Sequence, residues 1–325
     1  MKIAWKLLSG FVSLLILVAG GGYFWMQTAY PNVSDAPDIT VEITAKRIAR
    51  GEYLAWNVSS CIECHSTRDF TRFAGPVKHE GIGAGGERFG EEMGLPGDFY
   101  APNITPFALK EWTDGELYRA ITAGVSRDGR PLFPIMPYPN YSRMDKEDIY
   151  SIIAYLRTLA PVESTVPTSK ANFPMNLIMR TIPADARHEK RPSPESRLPY
   201  GRYVVTAAAC ADCHTMREKG EPLPGMEYAG GFEFTLPVGV VRSANITPDS
   251  ETGIGSWTEE MFIQRFRMYA DSVFTEPVLG PTDFNTPMPW RLYANMTDED
   301  LRAIYAYLQS IKPVKHLVER FTPPQ

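Results

Sequence analysis

Two stretches of the chain carry apolar residues at clear helical spacing. In "MDKEDIYSIIAYLRTL", Ile149, Ile152, Ile153, Leu156 and Leu159 fall on one face; in "MTDEDLRAIYAYLQSI", Leu301, Ile304, Tyr305, Leu308 and Ile311 repeat the stripe in the same register. Each predicts an amphipathic helix with one buried side. Asp145 and Thr297 stand at the N-cap positions, and the acidic residues after them suit the positive end of the helix dipole. Thr113 and Glu116 have the spacing of a capping box, opening a helix through Leu117, Ala120 and Ile121. A further helix is expected from about Thr44 through Trp56 into Cys61. Strand signals are sparse, so the chain reads as mainly α with long irregular loops.

One segment breaks the amphipathic rule. From Leu7 to Met26 twenty residues carry no charge, a length that spans a bilayer as a helix. Lys2 and Lys6 before it predict a cytoplasmic N-terminus, Tyr23, Phe24 and Trp25 suit the far headgroup layer, and Asp35 and Asp38 follow outside. The competing reading is a signal peptide cleaved near Val18-Ala19-Gly20; spanning length and the aromatic belt favour a retained single-pass anchor. Either way the body is exported, which for a bacterial chain means an inner-membrane anchor and a periplasmic body.

The remainder repeats itself. Gly51-Glu52-Tyr53-Leu54 recurs as Gly201-Arg202-Tyr203-Val204, Asn103-Ile104-Thr105-Pro106 as Asn245-Ile246-Thr247-Pro248, Trp112-Thr113 as Trp257-Thr258 and Met136-Pro137 as Met288-Pro289. Such order-preserving self-similarity marks a duplicated unit. The division it gives is an anchor over 1–27, a linker over 28–44, one domain over 45–160, a proline-rich linker over 161–199 and a second domain over 200–325. At 325 residues the chain has room for about two domains. The apolar middle of the second linker, "NFPMNLIMR", is expected to pack along the junction between the domains, with membrane contact as the alternative. A net charge of -5 and the absence of a basic run argue against nucleic acid as a partner.

The four cysteines fall in "CIECH" and "CADCH". Cys-x-x-Cys-His is the attachment pattern of c-type haem: two thioether bonds hold the macrocycle and the histidine gives the iron a nitrogen. Cys61, Cys64 and His65 would hold one haem, and Cys210, Cys213 and His214 a second. A zinc site would pool both runs, and a thioredoxin-like pair or structural disulfides would leave both histidines without a role. For the second axial ligand, Met136 in "FPIMPYP" and Met288 in "NTPMPW" sit in proline-framed loops 71 and 74 residues beyond their histidines. Proline stiffens such a loop and removes competing amide donors. Met144 and Met296, at helix starts, are poorer candidates.

Lesser features read blandly. "GIGAGG" matches GxGxxG through Gly81, Gly83 and Gly86, but no strand precedes it, so it reads as a flexible loop. His79, His188 and His316 read as surface or packing residues. Asn103, Asn245, Trp112, Trp257, Arg119 and Arg127 could line a haem or bond its propionates, or simply mark the packing of the repeat.

These motifs resemble those of the membrane-anchored multihaem cytochrome c subunits that accompany bacterial alcohol, aldehyde and gluconate dehydrogenases. The resemblance rests on both CxxCH runs, on "ANITPDSETGIGSWTEEMF" and on "ITAGVSRDGRPLFPIMPY", and covers nearly residues 45 to 312. It implies two tandem class I cytochrome c domains, with iron bound by His65 and Met136 and by His214 and Met288. Those subunits usually carry three haems in a longer chain; this chain has two such runs. The expected function is electron transfer without catalysis of its own. The donor would be a dehydrogenase or respiratory complex subunit, the acceptor a cytochrome or terminal oxidase. A permanent subunit and a mobile shuttle both fit. The rival is a dihaem cytochrome c peroxidase, which would need one iron with a vacant or replaceable position.

Overall fold

A computed structural model describes residues 2–218 and 220–324. It opens with α1, Lys2–Ala29, whose apolar window has a mean hydropathy of 2.0 and no buried residue. The first half continues with α2 (Ala45–Tyr53), α3 (Cys61–Cys64), β1 (Arg88–Phe89), β2 (Gly97–Tyr100), α4 (Pro106–Leu109), α5 (Asp114–Ala123), α6 (Tyr138–Tyr141), α7 (Lys146–Leu156) and β3 (Lys170–Ala171). After α8 (Met175–Ile178) the second half runs through α9 (Arg197–Ala207), α10 (Cys210–His214), β4 (Arg217–Glu218), β5 (Glu221–Pro222), β6 (Glu233–Leu236), β7 (Gly239–Arg242), α11 (Glu259–Arg267), α12 (Trp290–Tyr293), α13 (Asp298–Ser310) and β8 (Phe321–Thr322).

The caps form as expected. Thr113 and Glu116 close a reciprocal capping box on α5, Asp145 accepts from the Glu147 amide at the head of α7, and Thr297 accepts from the Asp300 amide at the head of α13. The helix expected to run from Thr44 into Cys61 is instead broken twice. It widens into a π turn at Leu54–Val58, and Ser60 then takes a left-handed conformation with φ 50° before α3. Chain length explains the π turn. Cys61 lies ten positions beyond Gly51, whereas Cys210 lies nine beyond Gly201. The extra residue is absorbed by the wide Ser59 N–H to Leu54 carbonyl bond rather than expelled as a loop.

In each half the N-terminal helix crosses the C-terminal one, α2 on α7 and α9 on α13. The crossings are close enough to demand glycine: a Cβ on Gly51 would lie 1.8 Å from the Ser151 carbonyl oxygen, and one on Gly201 2.0 Å from that of Ala303. The crossings use the Ser151 and Tyr155 side of α7 and the Ala303 and Tyr307 side of α13, beside the apolar stripes, and one buried cluster runs from Val41 to Leu308.

Strand content exceeds the expectation. Two antiparallel three-stranded sheets, β1-β2-β3 and β6-β7-β8, occupy matching places, beside the β4-β5 hairpin. Strands of two to four residues are too short to leave a period-two pattern. The third strand of each sheet comes from the chain beyond the last helix of its half, so the start of the proline-rich linker is bound to the first half. The Val162 carbonyl also accepts from Asn103 Nδ2. "NFPMNLIMR" differs from its expectation too. It lies against the end of α1, where the Arg180 guanidinium binds the carbonyls of Met26, Gln27 and Tyr30, and Phe173 is 80% exposed.

The two halves clasp each other reciprocally. Tyr203 donates to the buried Asp148 across the junction at 2.7 Å, and Tyr53 donates to the buried Asp300 in the opposite sense. Each tyrosine oxygen also accepts an amide from its partner half, Asp145 N–H at 3.1 Å for Tyr203 and Thr297 N–H at 3.0 Å for Tyr53. Arg50 and Arg191 complete the shell of Asp148, and Tyr200 that of Asp300. Tyr203→Phe leaves a buried carboxylate short of one donor, a loss of about 1–3 kcal/mol. Urea unfolding followed by circular dichroism is expected to show a lower midpoint, and Gly201→Ala, which forces two helix backbones apart, a larger drop still.

Candidate haem sites

Each CxxCH run begins directly after a left-handed residue, Ser60 with φ 50° and Ala209 with φ 52°. Neither is glycine, so each turn holds strain of roughly 1–2 kcal/mol, repeated at the same point of both halves. Strain that recurs at matching positions is the mark of a functional constraint. It turns the chain so that Cys61 and Cys64, and Cys210 and Cys213, each start a fresh helical turn. None of the four cysteines is joined in a disulfide: Cys61, Cys64 and Cys210 are partly buried and Cys213 is exposed. Among the described residues no three His, Cys, Asp or Glu side chains converge as metal ligands.

The histidines are held identically. His65 Nδ1 lies 2.7 Å from the Pro102 carbonyl and His214 Nδ1 2.8 Å from the Ala244 carbonyl. A carbonyl only accepts, so Nδ1 carries the proton and the lone pair is on Nε2, the arrangement of a metal-binding imidazole oriented by its other nitrogen. Burial favours the neutral ring in both, pushing His214 down to about 4 and His65 in the same direction. Asn103 and Asn245 stand right behind these carbonyls. Each Oδ1 accepts from the amide and hydroxyl of the threonine two residues on, and each Nδ2 donates to the carbonyl of Val162 or Val314. Their recurrence therefore records a loop staple, not a propionate contact.

The glycine-rich stretch is a rigid turn rather than a flexible loop. Gly85 N–H donates to the His65 carbonyl at 2.9 Å, and Gly230 N–H to the His214 carbonyl at 2.8 Å. With φ +73° and +72°, these glycines run so close to the Pro102 and Ala244 backbone that an added Cβ would come within 2.5 and 2.3 Å of the carbonyl carbons. The sequence carried the signal: Ala84-Gly85-Gly86 recurs as Ala229-Gly230-Gly231.

Met136 and Met288 lie partly buried against the surface of the core cluster. Met144 and Met296 are inside it, at 1% and 2% exposure, and the Met144 sulfur takes the Ser59 hydroxyl. The loop before Met136 is held within its own half, Phe133 stacking on Phe99 at 4.0 Å. The loop before Met288 is braced from the other half. Asn285 accepts the Ala74 amide at 2.8 Å and reaches the Phe70 carbonyl, and Thr286, next along, accepts the Met288 amide at 3.1 Å. Of the other histidines, His79 is exposed, His188 bridges Tyr118 and the Met144 carbonyl, and His316 binds the Ala229 carbonyl.

The two sites meet at the junction. Asn140, four residues beyond Met136, donates to Asp212 inside the second CxxCH at 2.6 Å. α6 packs on α9 and α12 on the π turn, each against the helix that leads to the other half's cysteines.

Residues 200–312 match the family model of cytochrome c. The chain carries a cytochrome c domain. A cytochrome c domain holds its haem c through covalent bonds, and the domain's CxxCH, imidazole and glycine turn recur in the first half. Among relatives, the chain is 28% identical to the cytochrome c subunit of a quinone alcohol dehydrogenase of Komagataeibacter europaeus, over 85% of this chain and 58% of that protein. It is 29% identical to the gluconate 2-dehydrogenase cytochrome c subunit of Pantoea cypripedii, over 81% of this chain and 59% of that one. A diheme cytochrome c-type protein of Cereibacter sphaeroides matches at 28% over 93% of this chain and 97% of its own length. The chain thus spans somewhat more than half the length of the dehydrogenase subunits it matches, and nearly all of the diheme protein.

The glycine turn is testable. Gly230→Ala in the cytochrome c domain forces the backbone away from the carbonyl that orients His214, and is expected to lower the haem-to-protein absorbance ratio. Gly94→Ala, with a similar φ of +79° but open space around it, is expected to leave that ratio unchanged.

Proposed function

We propose that the chain is a dihaem electron-transfer protein, tethered to the inner membrane by α1 and working in the periplasm as two tandem class I cytochrome c domains, 45–160 and 200–325. Cys61, Cys64 and His65 with Met136 would hold one haem, and Cys210, Cys213 and His214 with Met288 the other. The observation that carries this reading is the duplicated imidazole, fixed through Nδ1 and aimed by a glycine turn, beside an unbridged cysteine pair in each half. Two orphaned polar atoms fit the same picture. Arg119 Nε and the Tyr138 hydroxyl are buried without a hydrogen-bond partner among the described residues. Both side chains border the turn after α5, Arg119 bonding the Ser126 carbonyl and the Tyr138 ring packing on Gly124. Buried orphans of this kind suit the acidic edge of a bound macrocycle.

Haem iron, when bound, supplies a one-electron redox change at a potential that a thioether ligand raises. The chain's own residues do the rest: they hold each imidazole in one tautomer, stiffen each methionine loop, and bring the two sites together through Asn140 and Asp212. The donor would be a dehydrogenase, as the relatives' names suggest, and the acceptor a cytochrome or terminal oxidase. Matching proline-framed methionine loops in both halves disfavour the peroxidase.

Met136→Ala or Met288→Ala is expected to lower one of two midpoint potentials in a redox titration and to open that iron to cyanide, while Met144→Ala shifts neither potential. A pyridine haemochrome assay should return two haems per chain after denaturation and acid extraction. A single haem, or colour lost on extraction, would sink the proposal.

A further inference from the structure

Residues 172–182 of the connector carry a single charge, Arg180, among apolar and neutral polar side chains, and none of the eleven is buried. Phe173 is 80% exposed and Ile178 46%. Both stand in water on a segment with no buried residue, and the position of the segment points to what covers them. Arg180 donates to the Met26 carbonyl at 3.3 Å and the Gln27 carbonyl at 2.9 Å, capping the C-terminal end of α1, and also binds the Tyr30 carbonyl. A second tie follows: Ser34 donates through its amide and hydroxyl to Asp185 at 2.7 and 2.9 Å. The connector is therefore stapled along the stretch of chain that leaves α1.

That staple sets a depth. About 20 helical residues cross a hydrocarbon core of ~30 Å, and the uncharged run that begins at Leu7 ends at Met26. Tyr23, Phe24 and Trp25, all more than half exposed, occupy the last turns before that boundary, as an aromatic belt does. Arg180 thus stands where α1 leaves the hydrocarbon, and Ile178 and Phe173 stand two and seven positions from it.

We propose that residues 173–182 form a second membrane contact, seated in the headgroup and acyl boundary of the bilayer that α1 spans. This rests on reading α1 as a retained anchor. Lipid, rather than a protein partner, is the occupant because the exposed surface continues directly from the end of the spanning helix. Exposed Phe173 and Ile178, with half-buried Met175, Leu177 and Met179 around them and one arginine alongside, are also what partitions into an interface. The contact would hold the body at a set tilt above the membrane instead of leaving it on a free tether.

The test uses the full haem-bearing chain in nanodiscs of phosphatidylcholine and phosphatidylglycerol, where the thioether bonds leave only an introduced thiol to react. Spin labels are placed through Phe173→Cys and Ile178→Cys, with Phe11→Cys in the middle of α1 and Leu317→Cys, 84% exposed in the second half, as references. Power saturation then compares collision with oxygen against collision with a water-soluble nickel chelate. The expected ratio at 173 and 178 is several-fold above that at 317 and below that at 11. Water-like ratios at 173 and 178 beside a lipid-like ratio at 11 would overturn the contact, leaving the surface to a protein partner, while the anchor stands. A water-like ratio at 11 as well would overturn both.

Discussion

Asp148 and Asp300 are carboxylates taken almost wholly out of water, and a buried charge of this kind costs several kcal/mol unless its oxygens are filled by donors. Neither half can fill them alone, since each draws a tyrosine hydroxyl from the opposite half. The requirement fixes how the halves sit on each other, because an apolar junction would tolerate sliding whereas short bonds to a buried anion do not. The rest of the geometry depends on this constraint. It sets α6 on α9 and α12 on the π turn, and through them brings Asn140 to Asp212 beside the second cysteine pair.

Features that rest on local chemistry could be read from the residues. The stripes of α7 and α13, the three N-caps and the two CxxCH runs declare themselves within a few positions, and the repeat placed them in pairs. Features set by neighbours could not. Nothing in a serine or an alanine announces that Ser60 and Ala209 turn left-handed, and strands of two residues have no periodicity to detect. The π turn follows from one extra residue between Gly51 and Cys61, a signal visible only when the halves are counted against each other. Glycine content suggested mobility at 81–86, but close approach to a backbone gives the same composition. Ala-Gly-Gly recurring in both halves was the means to tell the two apart. The apolar connector was readable as needing cover, though composition does not say what provides it.

The imidazoles show how the same physics serves both folding and chemistry. A buried ring prefers to be neutral, and a neutral ring beside a carbonyl has one tautomer open to it. The glycine turn that accepts no Cβ is what keeps that carbonyl in place, and the asparagine staple behind it ties the same loop to the chain beyond the last helix of each half. Orientation of the ring is thus built into the backbone before any cofactor is considered.

The brace that Asn285 makes to Phe70 and Ala74 falls on one methionine loop only. Copied centres would start out equivalent, and an equivalent pair gives an electron no preferred direction. With the proposed ligation, a sulfur backed by the neighbouring half is less free to lift off its iron than one whose loop relies on its own half. A bias between twin centres can then arise from scaffolding, with every ligand type left the same.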